Sequence, residues 1–148
     1  MTPETSPSIE TYSHAGDGYL PLVFSADWQV AVLNWESGME NAVRLKTVER
    51  HLCTDEVFVL VRGRAALITL SAPVFTITDL QAGLIYNVKS GVWHTLLASR
   101  DASMIIVEKR DTHQHDVETR ALDEQEIERI ITDLNIFWEG GSGDISCA

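Results

Sequence analysis

Glu49-Arg50-His51-Leu52-Cys53-Thr54-Asp55-Glu56-Val57-Phe58-Val59-Leu60-Val61-Arg62-Gly63 is the stretch that decides how the rest of the chain is read. A histidine, His51, and a carboxylate, Glu56, stand on either side of a short polar break. The apolar run Val57 to Val61 that follows has the length and composition of a buried strand. Arg62-Gly63-Arg64 ends it and Ala65 to Leu70 begins another, which predicts a hairpin. A nitrogen donor and an oxygen donor at the junction of two strands are costly to bury unpartnered, and a metal ion is the commonest reason to bury them. A third candidate donor, His94, opens a later strand.

Upstream, Val43 to His51 alternates. Val43, Leu45, Thr47, Glu49 and His51 fall on one side, and Arg44, Lys46, Val48 and Arg50 on the other. The basic side is expected to face solvent, so Glu49 and His51 are expected to point inward. Tyr19 to Phe24 and Trp28 to Asn34 read as two earlier strands joined by Ser25-Ala26-Asp27, with Gln29, Ala31 and Leu33 on one face of the second. Downstream come Val74 to Asp79, Leu84 to Val88, Trp93 to Ala98 and Met104 to Lys109, each bounded by turn residues. Such a run of short strands predicts an all-β antiparallel barrel or jelly roll. One helix follows. Asp123 is its expected N-cap, with Glu126 in the capping-box position, and Ile127, Ile130, Ile131 and Leu134 repeat at helical spacing to pack on the barrel. It is expected to end at Asn135 and the Gly140 run. The expected organisation is a flexible arm over 1–18, a barrel with its helix over 19–138 and a flexible tail over 139–148.

The 148 residues suffice for one domain with a real core, and the 45% hydrophobic fraction is that of a folded protein. The formal charge of −11 and the lack of any Lys/Arg stripe exclude nucleic acid as the expected partner. The same charge disfavours anionic substrates unless Arg or Lys lines the pocket. No apolar run is long enough to span a bilayer, and Met1 to Ser8 has neither the basic nor the apolar region of a secretory signal. The expectation is a cytoplasmic protein. Cys53 and Cys147 have no zinc-ribbon spacing and are expected as thiols, Cys53 as a buried or loop thiol in preference to a ligand.

The strand pattern and the spaced donors resemble the cupin superfamily. The first motif of that family runs G-x5-H-x-H-x3–4-E-x6-G and the second G-x5-P-x-G-x2-H-x3-N. His51, Glu56 and Gly63 match the second half of the first motif, with Glu49 where its first histidine would stand. Gly83, Gly91 and His94 match the second motif, with Lys89 in place of its proline and Ala98 in place of its asparagine. The resemblance implies a double-stranded β-helix, the cupin jelly-roll barrel, with the C-terminal α-helix added. It implies His51, Glu56 and His94 as metal ligands and Glu49 as a fourth with a changed donor. Two imidazoles and a carboxylate suit Zn, Mn, Fe or Ni, and a second carboxylate shifts the choice toward Mn, Fe or Zn and away from copper. Uncoordinated, Glu49 is instead a general base beside the metal, and Glu49 and Glu56 are the candidate catalytic acids and bases.

The implied function is that of a metal-binding cupin acting on a small organic molecule by isomerase, lyase or dioxygenase chemistry. The alternative is a ligand-binding or structural barrel without turnover, which the departures from the motifs keep open. Phe58 and Leu60 share the face of Glu56 and are candidates for the pocket floor. Tyr86 and Trp93 flank the second motif and are candidates for its mouth, with core packing the competing reading for all four. His113 and His115 form an H-x-H pair in a polar stretch expected to be exposed. No nucleophile elbow or phosphate-binding glycine loop is present. Barrels of this family pair, so a homodimer is expected.

Overall fold

Period-two alternation runs through most of the chain, and in the computed structural model the alternating stretches become strands. The structure describes residues 8–41, 45–71 and 73–139, with side chains up to residue 134. Residues 1–7 of the expected arm, Val43 and Arg44 in the third expected strand, and the expected tail from residue 140 on, with Cys147, lie outside the described residues.

The strands are β1 (Gly18–Phe24), β2 (Trp28–Asn34), β3 (Thr47–His51), β4 (Glu56–Arg62), β5 (Ala65–Ser71), β6 (Val74–Asp79), β7 (Tyr86–Val88), β8 (Trp93–Ala98), β9 (Ser103–Lys109) and β10 (Val117–Ala121). A one-turn helix α1 (Thr112–His115) precedes β10, and α2 (Glu124–Glu139) follows it. The strands form two five-stranded sheets, β1-β2-β9-β4-β7 and β10-β3-β8-β5-β6, with antiparallel pairing throughout. The fold is all-β with one long C-terminal helix, a jelly roll.

Between the sheets lies one apolar cluster that includes Ala31, Leu33, Phe58, Leu60, Leu67 and Met104. A second lies outside the β10-β3-β8-β5-β6 sheet, where Ile130 and Leu134 of α2 cover Val48, Ile68 and Leu97. This second core corrects the expectation for β3. Val48, on the side assigned to solvent, is only 2% exposed because α2 roofs that face. Burial on both faces also explains why β5 reads as a nearly unbroken apolar run.

Two turns fix the chain path around the site. The hairpin expected at Arg62-Gly63-Arg64 is instead a crossover, because β4 pairs with β7 and β9 in one sheet while β5 pairs with β6 and β8 in the other. Gly63 makes this turn at φ +74°, and a Cβ there would sit 2.5 Å from Ala102 Cα, so only glycine fits. Gly91, at φ +81°, turns the chain from β7 into β8, and its N–H donates to His51 O at 2.7 Å. The strand expected from Leu84 to Val88 is shorter, and a turn replaces its start. Leu84 and Ile85 stay exposed and pairing begins at Tyr86. Asp123 and Glu126 form the expected capping box, Glu126 N–H donating to Asp123 Oδ1 and Asp123 N–H to Glu126 Oε2. The helix continues past Asn135 to Glu139. The polar stretch around His113 and His115, expected as exposed surface, is the one-turn helix α1 with both histidines exposed, and it leads into β10, a strand not assigned from the sequence. The chain turns at Asp111, which is left-handed at φ 58°, and β10 pairs along β3 from Val117 opposite His51 to Ala121 opposite Thr47.

Candidate metal centre

Strand alternation carries Glu49 and His51 inward from β3, Glu56 from β4 and His94 from β8, with Glu49 directly opposite His94 across the ladder. One donor atom from each of these four residues lies within 4.8 Å of every other. His51, Glu56 and His94 are each about nine-tenths or more buried, while Glu49 is exposed. Among the described residues, this is the cluster that could hold a metal ion.

Each imidazole is anchored through Nδ1. His51 Nδ1 lies 2.9 Å from Thr112 Oγ1, and His94 Nδ1 lies 3.0 Å from Val92 O. A carbonyl only accepts, so His94 Nδ1 carries the proton and a neutral ring turns its Nε2 lone pair inward. That Nε2 stands 3.0 Å from Glu56 Oε2, and His51 Nε2 stands 3.0 Å from the same oxygen. His51 Nε2 is buried and makes no hydrogen bond, although Glu56 Oε2 lies 3.0 Å away. Lone pairs facing a carboxylate at this range repel unless a proton or a cation lies among them. Two donors at right angles, each about 2.1 Å from a common ion, are themselves about 3.0 Å apart, so the spacing fits adjacent ligands of one metal. The donor set therefore fits a divalent transition metal.

Protonation in the bare site follows the same logic. Burial disfavours charge on His51 and His94, but the Glu56 carboxylate outweighs it and both imidazoles are raised. Burial pushes Glu56 up, but the His51 and His94 imidazoles that face it prevail and hold it down at about 2. Asp55 fixes the turn that aims His94. Its carboxylate accepts from Lys89 Nζ at 2.6 Å, Asn87 Nδ2 at 2.9 Å and the Ser90 N–H at 2.9 Å, which lower it to about 2. Lys89, though largely exposed, is thus tied at its tip to Asp55.

A cavity of about 570 Å³ opens over these donors. Phe58 lines it, whereas Leu60 lies in the core between the sheets and does not reach the lining. Tyr86 packs against that core with its hydroxyl accepting from the Gln81 N–H. Trp93 lies on the other side of β8, under Arg50 and Arg120 and against the α2 cluster. Since His94 points inward, its neighbour in a strand must point out, which removes Trp93 from the pocket mouth. Cys53 is an exposed thiol donating to Asp116 and is not among the donors. His113 and His115 are exposed on α1; His113 reaches the cavity lining, and neither belongs to the donor cluster.

Sequence reasoning missed four residues of this site. Thr112, fully buried, holds His51. Glu108, Gln29 and Tyr19 form a hydrogen-bonded group beside the cluster. Tyr19 Oη donates to Glu108 Oε1, and Gln29 Nε2 donates to Tyr19 Oη at 2.8 Å and to Glu108 Oε1 at 3.0 Å. Gln29 Oε1 accepts from the Asp111 N–H at 3.1 Å. Burial, helped by the nearby Glu56, raises Glu108 despite the Tyr19 hydrogen bond. The signal lay in the alternation: Gln29 shares a face with Ala31 and Leu33, and Glu108 with Met104 and Ile106, so both are polar residues on inward faces.

No family model matches the chain, and no curated protein does. Solved structures do. A cupin-2 domain protein from Shewanella frigidimarina matches 64% of this chain and 84% of its own at 24% identity, with a TM-score of 0.50. An RmlC-like cupin with a double-stranded β-helix fold from Methanocaldococcus jannaschii matches 74% of this chain and 96% of its own at 10% identity, with a TM-score of 0.51. Streptomyces PAC13, solved with uridine, matches 70% and 78% at 12% identity, with a TM-score of 0.52. Two antiparallel sheets folded as a jelly roll, superimposing on these barrels over most of their length, give this chain the cupin fold.

Proposed function

We propose that this protein is a metal-dependent cupin that acts on a small organic molecule within its barrel, the functional unit being residues 19–138. The observation that carries the reading is the convergence of His51, Glu56 and His94 on one point, with His51 Nε2 buried and unpartnered. These residues and Glu49 would hold the ion, of which Mn, Fe and Zn suit two carboxylates and two imidazoles best and Ni also fits. A bound divalent ion supplies Lewis acidity toward a carbonyl, enol or carboxylate oxygen.

The protein's own residues do the rest. Thr112 and the Val92 carbonyl hold the rings, and Phe58 with Leu33 and Ile106 keeps one wall apolar. Glu49, the most exposed of the four donors, is placed to accept or return a substrate proton. Isomerase, lyase and dioxygenase chemistry all suit such a site. A bound Glu49 fills a coordination position that dioxygen would need, which favours non-redox chemistry. Among the solved structures of this fold is an iron(II) enzyme, HppE, at 17% identity, with a TM-score of 0.50 over 72% of this chain.

Elemental analysis of purified protein reconstituted with manganese, iron or zinc tests the reading. About one ion per chain is expected, lost in both His51→Ala and His94→Ala. No metal in the reconstituted wild type refutes it. We also propose a homodimer and a cytoplasmic setting. The exposed thiol of Cys53 suits a reducing compartment, and the exposed Val61 and Ile105 on the outer face of the β1-β2-β9-β4-β7 sheet suit pairing. No described helix is long and apolar enough to cross a membrane.

A further inference from the structure

Resting on the metal reading above, we infer that the cavity takes a small substrate bearing a positive charge, an ammonium or similar onium group held on the Glu108 side of the metal donors. The inference comes from the charges lining the cavity. Glu36, Glu49, Glu56 and Glu108 contribute carboxylates, and no Lys or Arg is among the described residues that line it. A divalent ion would balance Glu49 and Glu56 and nothing more. Glu36 at the mouth and Glu108 on the wall remain, and the net charge of −11 adds a field of the same sign.

Glu108 makes the case specific. Its side chain is buried, at 7% exposure, and the donors on its Oε1 are the hydroxyl of Tyr19 and the amide of Gln29, both neutral. A buried carboxylate is ordinarily retained with a cationic partner, and the described lining offers it no Lys or Arg, only the imidazole of His51, which the metal would claim. A ligand cation would fill that role. Tyr19 and Phe58 line the same space and add aromatic surface of the kind that onium groups favour. The volume of about 570 Å³ limits the guest to a small molecule. Away from the ion itself, a carboxylate or phosphate group would meet these acids, and the exposed imidazole of His113 is the one described side chain of the lining outside the donor set able to carry a positive charge.

The test uses the full chain loaded with cobalt(II), titrated calorimetrically with three probes of matched shape: choline, neohexyl alcohol and tert-butylacetate. Choline is expected to bind at least about tenfold more tightly than tert-butylacetate, with the alcohol between them. Glu108→Gln is expected to shrink that ratio several-fold, and so is Glu36→Gln, whose exposed side chain makes it a control for folding. Equal or tighter binding of tert-butylacetate overturns the inference, as does no binding of choline at millimolar concentration to cobalt-loaded protein. The cobalt d–d absorption, recorded first, separates the two levels. Failure to take up cobalt overturns the metal reading itself, whereas uptake followed by anion preference overturns only the choice of substrate class.

Discussion

Thr112 carries no charge and belongs to no motif, yet it fixes one of the two imidazoles. Its hydroxyl meets His51 Nδ1 at 2.9 Å in a fully buried position. Partners of this kind orient a ligand, and their loss weakens metal binding by about 10–100-fold. Thr112→Ala is therefore expected to lower metal affinity by that factor in a chelator competition assay, and Thr112→Ser to recover most of it. An unchanged affinity in Thr112→Ala would show that His51 is held by packing alone. Gly63 is the second decisive residue. Gly63→Ala adds a Cβ 2.5 Å from Ala102 Cα at a positive φ, whereas the equally positive Gly83 has open space around it. We expect Gly63→Ala to lose roughly 2–4 kcal/mol from backbone strain and clash together, and Gly83→Ala about 1 kcal/mol, by urea denaturation. Gly63 was legible as the turn between two apolar runs, but not as a crossover from one sheet to the other, because that depends on which strands each run pairs with. Thr112 was not legible, because the turn that brings it under His51 depends on a left-handed Asp111.

At the scale of elements, β3 and α2 explain each other. Alternation correctly put His51 and Glu49 on the inner face, but it could not show that the other face would also be buried. That depends on where α2 docks, and Val48 and Trp93 go with it. The strand β10 was illegible for a related reason. Val117-Glu118-Thr119-Arg120-Ala121 is mostly polar because it is a sheet-edge strand, and its pairing comes from β3. The capping box was legible because it is local. Asp123→Ala should cost about 1 kcal/mol of stability through loss of the Glu126 N–H bond. Glu126 also makes paired bonds with Arg120 Nη1 and Nη2 at 2.9 and 2.8 Å, and that guanidinium holds its carboxyl below the ordinary value of 4.5. A depressed carboxyl stabilises the fold fully above its unfolded value and loses that contribution as pH falls below 4.5 toward the folded one. Glu126→Gln is therefore expected to be less stable than wild type at pH 7, with the difference narrowing below about pH 4.5 in acid denaturation curves. A constant difference down to pH 2 would mean the ion pair contributes nothing.

Over the whole molecule, the jelly roll was legible because alternation and turn residues agree along most of the chain. The cavity was not, because its lining joins residues from both sheets and from the segment after β9. Glu108, Gln29 and Tyr19 come from three neighbouring strands, β9, β2 and β1, and no one of them signals the others in sequence. A metal bound by donors on β3, β4 and β8 ties the two sheets together, so its removal should be felt globally. At a free metal concentration about 100-fold above Kd the stabilisation is about 2.7 kcal/mol, and chelation should lower Tm accordingly. A Tm indifferent to chelation in protein shown to contain the metal would contradict a site between the sheets.

The most direct test is an anomalous difference map from crystals of reconstituted protein, recorded at the absorption edge of the added metal. The account predicts one strong peak at about 2.0–2.3 Å from His51 Nε2, His94 Nε2 and a Glu56 carboxylate oxygen. A map with no peak there, or with its only peak at His113 and His115, would contradict it.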